Sequence, residues 1–298
     1  MKMINTFEQL LEVAQNEHKK IYEVFLDQES QMRELGIKTI RELMRENLQA
    51  MYWAIRHGME SSERSLSGLS GEDSNKIKTR YEKHDNLPFG KLFGRILSYS
   101  IAIMEENLRM GKIVACPTAG SCGIVPSTII AYSEKFEFCT ERQIDSLITA
   151  GGVGELIAQK VSLAGAVAGC QAECGAAAAM AASALTELLC GSNKQILTAA
   201  SLALKNTLGL TCDPVAGLVE IPCVKRNGFL AIHAVTASEM ALAGVESAIP
   251  LDEVVDAMLQ TGMLMSPLLK ESSEGGLATT KTGIAITKKL EEKWQTSI

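Results

Sequence analysis

Aromatic side chains are scarce in this sequence, at 5% of 298 residues, so small and aliphatic side chains must do the packing. Basic charge is also short: 29 Lys and Arg stand against 35 Asp and Glu, a net −6. That balance offers no basic excess for nucleic acid and no Lys/Arg tract for a membrane surface. The first twenty residues, MKMINTFEQLLEVAQNEHKK, are charged throughout and lack the apolar core of a signal peptide. A long lipid-like run is missing as well. The nearest, Val161 to Cys190, is interrupted by Gln171, Glu173 and Glu187 and is built from Ala and Gly, which reads as a buried helix. There is no CxxC pair, which disfavours a structural zinc ribbon. With no export signal, the expected location is cytoplasmic, and the eight cysteines are expected there as thiols or metal ligands and not as disulfides.

What is present is helical periodicity. Apolar residues recur at helical spacing over residues 4–26, through Phe7, Leu10, Leu11 and Ala14 and on to Ile21, Val24 and Phe25. They recur again over 37–57, through Ile40, Leu43, Met44, Leu48, Met51, Trp53 and Ile55. Further helices are expected at 92–110 with Gly111 as a stop, from Pro126 to about 135, and at 141–162, 172–190, 193–208, 229–245 and 252–270. Thr140 with Gln143 reads as an N-cap and capping box. No run of alternating strands and no repeat is visible. The expectation is an all-α fold, one multi-helix domain over 1–298, with an N-terminal helical hairpin (1–60). Residues 60–90, including SSERSLSGLSGEDSNK, read as a solvent-exposed polar connection. The run AAAAMAA at 176–182 reads as a site of close helix packing.

Three cysteines sit at bends. Cys212 precedes Asp213-Pro214, Cys223 follows Pro222, and Cys170 follows Gly169 at an expected helix start. A thiolate at a helix N-terminus is favoured by the free N–H groups and the dipole. Three thiolates, where four usually hold a cluster, would leave one iron open to act as a Lewis acid. Cys170 and Cys174, four residues apart on one helix face, are an alternative ligand pair that spacing alone leaves open. Cys116, Cys122, Cys139 and Cys190 look like ordinary small hydrophobes.

The segments CPTAGSCGIVP, GCQAECGAAAAMAA and CDPVAGLVEIPCVKRN, with GGLATTKTG at 275–283, resemble the α chain of the iron–sulfur-dependent L-serine dehydratases of two-subunit type. The resemblance runs from near residue 5 to the C-terminus. It implies a mostly helical fold and a four-iron four-sulfur cluster on Cys170, Cys212 and Cys223 with one open iron. It also implies conversion of L-serine to aminoacrylate, then pyruvate and ammonia, without pyridoxal phosphate. Single-chain relatives and separate β chains carry a Ser-Ser-Ser-His-Thr motif that is absent here; the four histidines are His18, His57, His84 and His233. A β chain is therefore the implied partner and the implied source of the general base, with homodimer contacts a further candidate. Cys122 departs from the small residue expected in relatives.

The loop Pro117–Gly123 is short on bulk and rich in backbone N–H, and leads into a helix start. Thr118, Ala119, Gly120, Ser121 and Gly123 are its candidate carboxylate contacts, the alternative being a tight interhelical turn. Lys225 and Asn227 complete the candidate substrate set, and the basic pair Lys225-Arg226 beside a cluster would tune it or hold the carboxylate. Glu173 could bond a ligand or the amino group, or be a plain helix-terminus acid. Asp213 is explained by the turn before Pro214. Action on L-cysteine or L-threonine, and a four-ligand redox sensor without catalysis, remain alternatives at this point.

Overall fold

A computed structural model describes residues 3–84 and 87–295. Two residues of the expected 61–90 connection, and both ends of the span 1–298, lie outside the described residues. Among the described residues there are thirteen α-helices and no strand, only an isolated bridge between Cys212 and Lys270. The all-α expectation holds. In chain order the helices are α1 (Phe7–Asn16), α2 (Ile21–Arg33), α3 (Ile37–Glu60), α4 (Asp73–Lys83) and α5 (Gly90–Leu108). They continue with α6 (Ile124–Phe136), α7 (Thr140–Lys160), α8 (Gly165–Ala168), α9 (Ala176–Leu188) and α10 (Asn193–Lys205), then α11 (Cys223–Leu242), α12 (Leu251–Leu264) and α13 (Lys281–Gln295).

The centre is α9. All its thirteen residues are buried, because Ala combines the best helix propensity with a side chain short enough for neighbours to approach on every side. Helices α6, α7, α10 and α11 pack around it. The close packing expected of the alanine run is what the fold uses it for. Among the described residues no helix is long and apolar enough to cross a membrane.

Several expected boundaries move. The periodic stretch 4–26 is broken between α1 and α2, where Asn193 of α10 binds both sides of the gap: its Oδ1 accepts from Ile21 N–H (3.3 Å) and its Nδ2 donates to Lys19 O (2.9 Å). Helix α7 has Cys139, not Thr140, at its N-cap, and Gln143 turns to Phe138 O (3.0 Å) and the Tyr52 hydroxyl instead of closing a capping box. Helix α12 stops at Leu264 because Ser266 precedes Pro267, which pushes the backbone out of the helical region.

The polar stretch 61–90 is largely exposed, as expected, but it is not without structure. It contains α4, and Ser65, Ser70 and Ser74 within it are buried. Two buried carboxylates draw the serines in. Glu220 accepts from the hydroxyls of Ser65 and Ser67 (2.6 Å each). Glu105 of α5 accepts from Ser74 Oγ (2.7 Å) and Asp73 N–H (2.8 Å). At Ser65, Ser67 and Ser74 polar composition marks hydrogen bonding to buried carboxylates, while most of the stretch stays exposed or half-exposed.

Candidate active site

The three bend cysteines lie on three separate segments that the fold draws together. Cys170 opens a π-helical turn, Gln171–Gly175, that runs straight into α9. Gln171, fully buried, fixes that turn: its Nε2 donates to Ala168 O (2.9 Å) and Met258 O (3.0 Å), and its Oε1 accepts from Gly209 N–H (2.9 Å). The last bond joins the Cys170 segment to the loop that carries Cys212. Cys212 is pinned from the other side by residues 269–271, with its N–H on Leu269 O (2.9 Å) and its carbonyl accepting from Glu271 N–H (2.6 Å). Cys223 is the first residue of α11.

All three thiols are free and buried, at 1%, 4% and 6% exposure for Cys170, Cys212 and Cys223. Burial pushes the Cys212 thiol far above its ordinary range and the Cys223 thiol up to about 12, and negative charge on Cys170 adds to both shifts. Deprotonating such a set in isolation is therefore costly, and a bound cation is what would offset that cost. A Cβ at Gly165 would lie 2.8 Å from Cys212 Sγ, so the glycine leaves a recess beside the sulfur. Three soft donors, buried, free of disulfides and gathered from three segments, suit the iron–sulfur cluster that the resemblance implies.

The tightest donor group is nevertheless a different one: Cys170, Glu173 and Cys174, whose donor atoms lie within 4.8 Å of one another. The two thiols play unequal parts. The Cys174 hydrogen bond holds the Cys170 thiol below its ordinary range, while the same contact and complete burial hold Cys174 well above it. Cys174 also lies 4.0 Å from Gly120 O, so the two neighbouring thiols face different surroundings, and Cys170 is the one more readily deprotonated.

Arg226 is the cation of the site. Its Nη1 donates to Thr211 O (2.8 Å) and its Nη2 to Asp213 Oδ1 (3.4 Å), and its charge acts on Cys170. Asp213 also accepts from Leu277 N–H through Oδ2 (2.9 Å), where Gly276 adopts φ +57 and has no Cβ to clash with that carboxylate. Asp213 thus ties the 275–280 turn to Arg226, which is more than the turn before Pro214 requires. Lys225, named in its place from sequence, faces elsewhere and pairs with Asp73 of α4 (2.7 Å). The signal was in the spacing: positions three and four after Cys223 share its helix face, and the position two after it does not.

The loop 117–123 forms a 3-10 turn, Ala119–Ser121, with Thr118 at its N-cap. The Ser121 hydroxyl donates to Cys116 O (3.1 Å) and lies 3.1 Å from the Thr118 hydroxyl, so Ser121, fully buried, braces the loop. Gly123 N–H is bound to Asn227 Oδ1 (3.0 Å). The Asn227 amide donates to Gly120 O (2.8 Å) and Cys223 O (3.0 Å). Asn227 is therefore fully engaged in joining the loop to the Cys223 helix. Of the expected substrate contacts, Thr118 and Ala119 keep exposed surface, and the first turn leaves the N–H groups of Ala119 and Gly120 without helical acceptors. Cys122 points into the core, its S–H on Met104 Sδ (3.6 Å), so its departure from the family pattern does not alter the loop surface.

Sequence reasoning left Glu173 undecided. Its Oε1 accepts from the Thr118 hydroxyl, and burial raises its carboxyl above the usual range. It stands where the loop meets the cysteines.

Comparison with known proteins places these residues in a family. A family model described as "Serine dehydratase alpha chain" matches residues 16–278. A Bacillus subtilis (strain 168) protein named "Probable L-serine dehydratase, alpha chain" is 42% identical over 97% of this chain and 95% of its own length. The "L-serine dehydratase, alpha chain" of Peptoniphilus asaccharolyticus is 38% identical over 94% of this chain and 96% of its own. A longer protein of Helicobacter pylori (strain ATCC 700392 / 26695), named "L-serine dehydratase", is 40% identical over 91% of this chain, which spans 60% of it.

Proposed function

The chain belongs to the serine dehydratase alpha chain family, and on that premise we propose that it is the cluster-bearing subunit of an enzyme converting L-serine to pyruvate and ammonia. The reaction removes the Cα proton and the β-hydroxyl as water, giving aminoacrylate. Its imine tautomer then takes up water and releases ammonia, leaving pyruvate. The observation that carries this reading is the gathering of Cys170, Cys212 and Cys223, buried, free and close enough for the charge of one to act on the others, beside a Thr118–Gly123 loop that Asn227 ties to the Cys223 helix. A four-iron four-sulfur cluster held by these three thiolates would keep one iron free of protein ligands and supply a Lewis acid at the substrate hydroxyl.

The chain's own residues divide the remaining work. The N–H groups of Ala119 and Gly120 take the substrate carboxylate, while the Thr118 hydroxyl donates to Glu173. Asn227, Ser121 and the Gly123 N–H hold that loop at a fixed distance from Cys223. Cys174 and Arg226 support Cys170, one by hydrogen bond and one by charge. Burial of the cysteine segments keeps bulk water from the sulfurs. None of the four histidines is part of this constellation, so a β chain supplies the base for the Cα proton. L-serine and that β chain are the partners; no pyridoxal phosphate is needed.

The test is turnover under anaerobic conditions by the chain with its cluster rebuilt, with and without the β chain. Pyruvate and ammonia in equal amounts from L-serine, dependent on the β chain and faster than turnover of L-threonine or L-cysteine, is the expected result. Undiminished turnover without the β chain would contradict the division of labour, and preference for either other amino acid would move the substrate.

A further inference from the structure

An α-amino acid carries its ammonium and carboxylate on one carbon, so a receptor for the first must adjoin the receptor for the second. We propose that Glu173 receives the ammonium group of the substrate, a proposal that rests on the reading above and names a residue for it. Three carboxylates lie near the cysteines. Asp213 is spent, with one oxygen on Arg226 and the other on Leu277 N–H. Glu271 stands in solvent. Glu173 is half-buried and adjoins the loop directly through Thr118. Among the described residues no ion pair engages it, and Thr118 is its hydrogen-bond donor.

Two glycines let the loop and the Cys212 segment come close to this carboxylate. A Cβ at Gly120 would come 2.5 Å from Oε1, and one at Gly165 would come 3.5 Å from Oε2 and 2.8 Å from Cys212 Sγ. Glycine on both sides lets the carboxylate sit between loop and sulfurs, and its half-buried side chain keeps surface there for a ligand. An ammonium there meets an anion, the loop N–H groups meet the carboxylate, and the β-hydroxyl is left facing the cysteines. Glu173 would thereby select amino acids over hydroxy acids of the same length, because only an ammonium satisfies a desolvated carboxylate.

The experiment compares two ligands on the cluster-loaded enzyme with its β chain by titration calorimetry: L-serine, and 3-hydroxypropanoate, which has hydrogen in place of the ammonium. Glu173→Gln should weaken L-serine binding about a hundredfold. It should change 3-hydroxypropanoate binding less than about threefold, because the loop contacts are intact. Glu173→Asp, which keeps the charge one methylene back, should recover most of the loss. Equal weakening of both ligands would mean that Glu173 only braces the loop through Thr118, and unchanged L-serine binding would remove any role; either overturns the proposal. Wild-type enzyme that binds 3-hydroxypropanoate as tightly as L-serine also overturns it while leaving the dehydratase reading standing. Wild-type enzyme that binds neither overturns that reading and the proposal with it.

Discussion

Serine at position 170, 212 or 223 is expected to strip iron from the protein and end pyruvate formation, whereas Cys174→Ser keeps both. The three cysteines are the buried, free sulfurs that the fold brings in from three segments: the π turn before α9, the loop pinned by residues 269–271, and the first residue of α11. Among the described residues Cys174 is the further sulfur grouped with Cys170, and complete burial holds its thiol well above the ordinary range. Serine at 174 can donate the same hydrogen bond to Cys170. Losing the several kcal/mol that a metal Lewis acid contributes lowers the rate by about a thousandfold or more. Iron content and the visible absorption of each anaerobically rebuilt variant, alongside pyruvate formation, check this. Cys174→Ser losing its iron while Cys212→Ser or Cys223→Ser keeps it would move the ligand set to the Cys170–Glu173–Cys174 group.

The second large effect is on stability, at Asn227. This side chain is fully buried and its amide satisfies Gly123 N–H, Gly120 O and Cys223 O at once. Asn227→Ala leaves Gly123 N–H without its partner and Gly120 O with only the distant Cys174 thiol (4.0 Å), while Cys223 O keeps its helical bond. At roughly 1–3 kcal/mol for each group left unsatisfied, the loss is several kcal/mol and lowers the melting temperature by on the order of 10 °C. The substrate loop loses its tether to α11 as well, so KM for L-serine rises. Lys225→Ala is the control. Its ion pair with Asp73 is half-exposed, which limits its worth to about 0–1 kcal/mol, and KM should stay within about threefold. Thermal melts and KM for both variants decide it. A mild Asn227→Ala with a severe Lys225→Ala would mean that Lys225, not Asn227, secures the substrate site.

What the sequence made legible follows from what kind of signal each residue emits. Helical periodicity located the helices with a marked apolar face but not α4, α8 or α13, because apolar spacing is a local signal that short or polar helices lack, and the alanine run declared its burial through composition. The bends at Gly169, Asp213-Pro214 and Pro222 marked the cysteines for the same reason. Long-range hydrogen bonding emits no local signal. Ser65, Ser67 and Ser74 read as solvent-facing because the carboxylates that bury them, Glu220 and Glu105, lie 155, 153 and 31 residues away. Asn227 read as a substrate contact because its true partners, Gly120 and Gly123, are more than a hundred residues distant. Arg226 and Lys225 are adjacent and chemically alike; only the helix face separates them, and the helix was expected to start six residues later, at 229, than it does at Cys223. Glu173 needed the position of Thr118 before either reading of it could be preferred.

The central claim is a cluster on three cysteines with one iron left to the substrate. The most direct measurement is the Mössbauer spectrum of the iron-57-loaded chain with its β chain, recorded before and after L-serine is added. One iron site of the four is expected to change its signal on addition while the other three stay as they were. A spectrum that L-serine leaves untouched would mean four protein ligands and no substrate on the iron, and would contradict it.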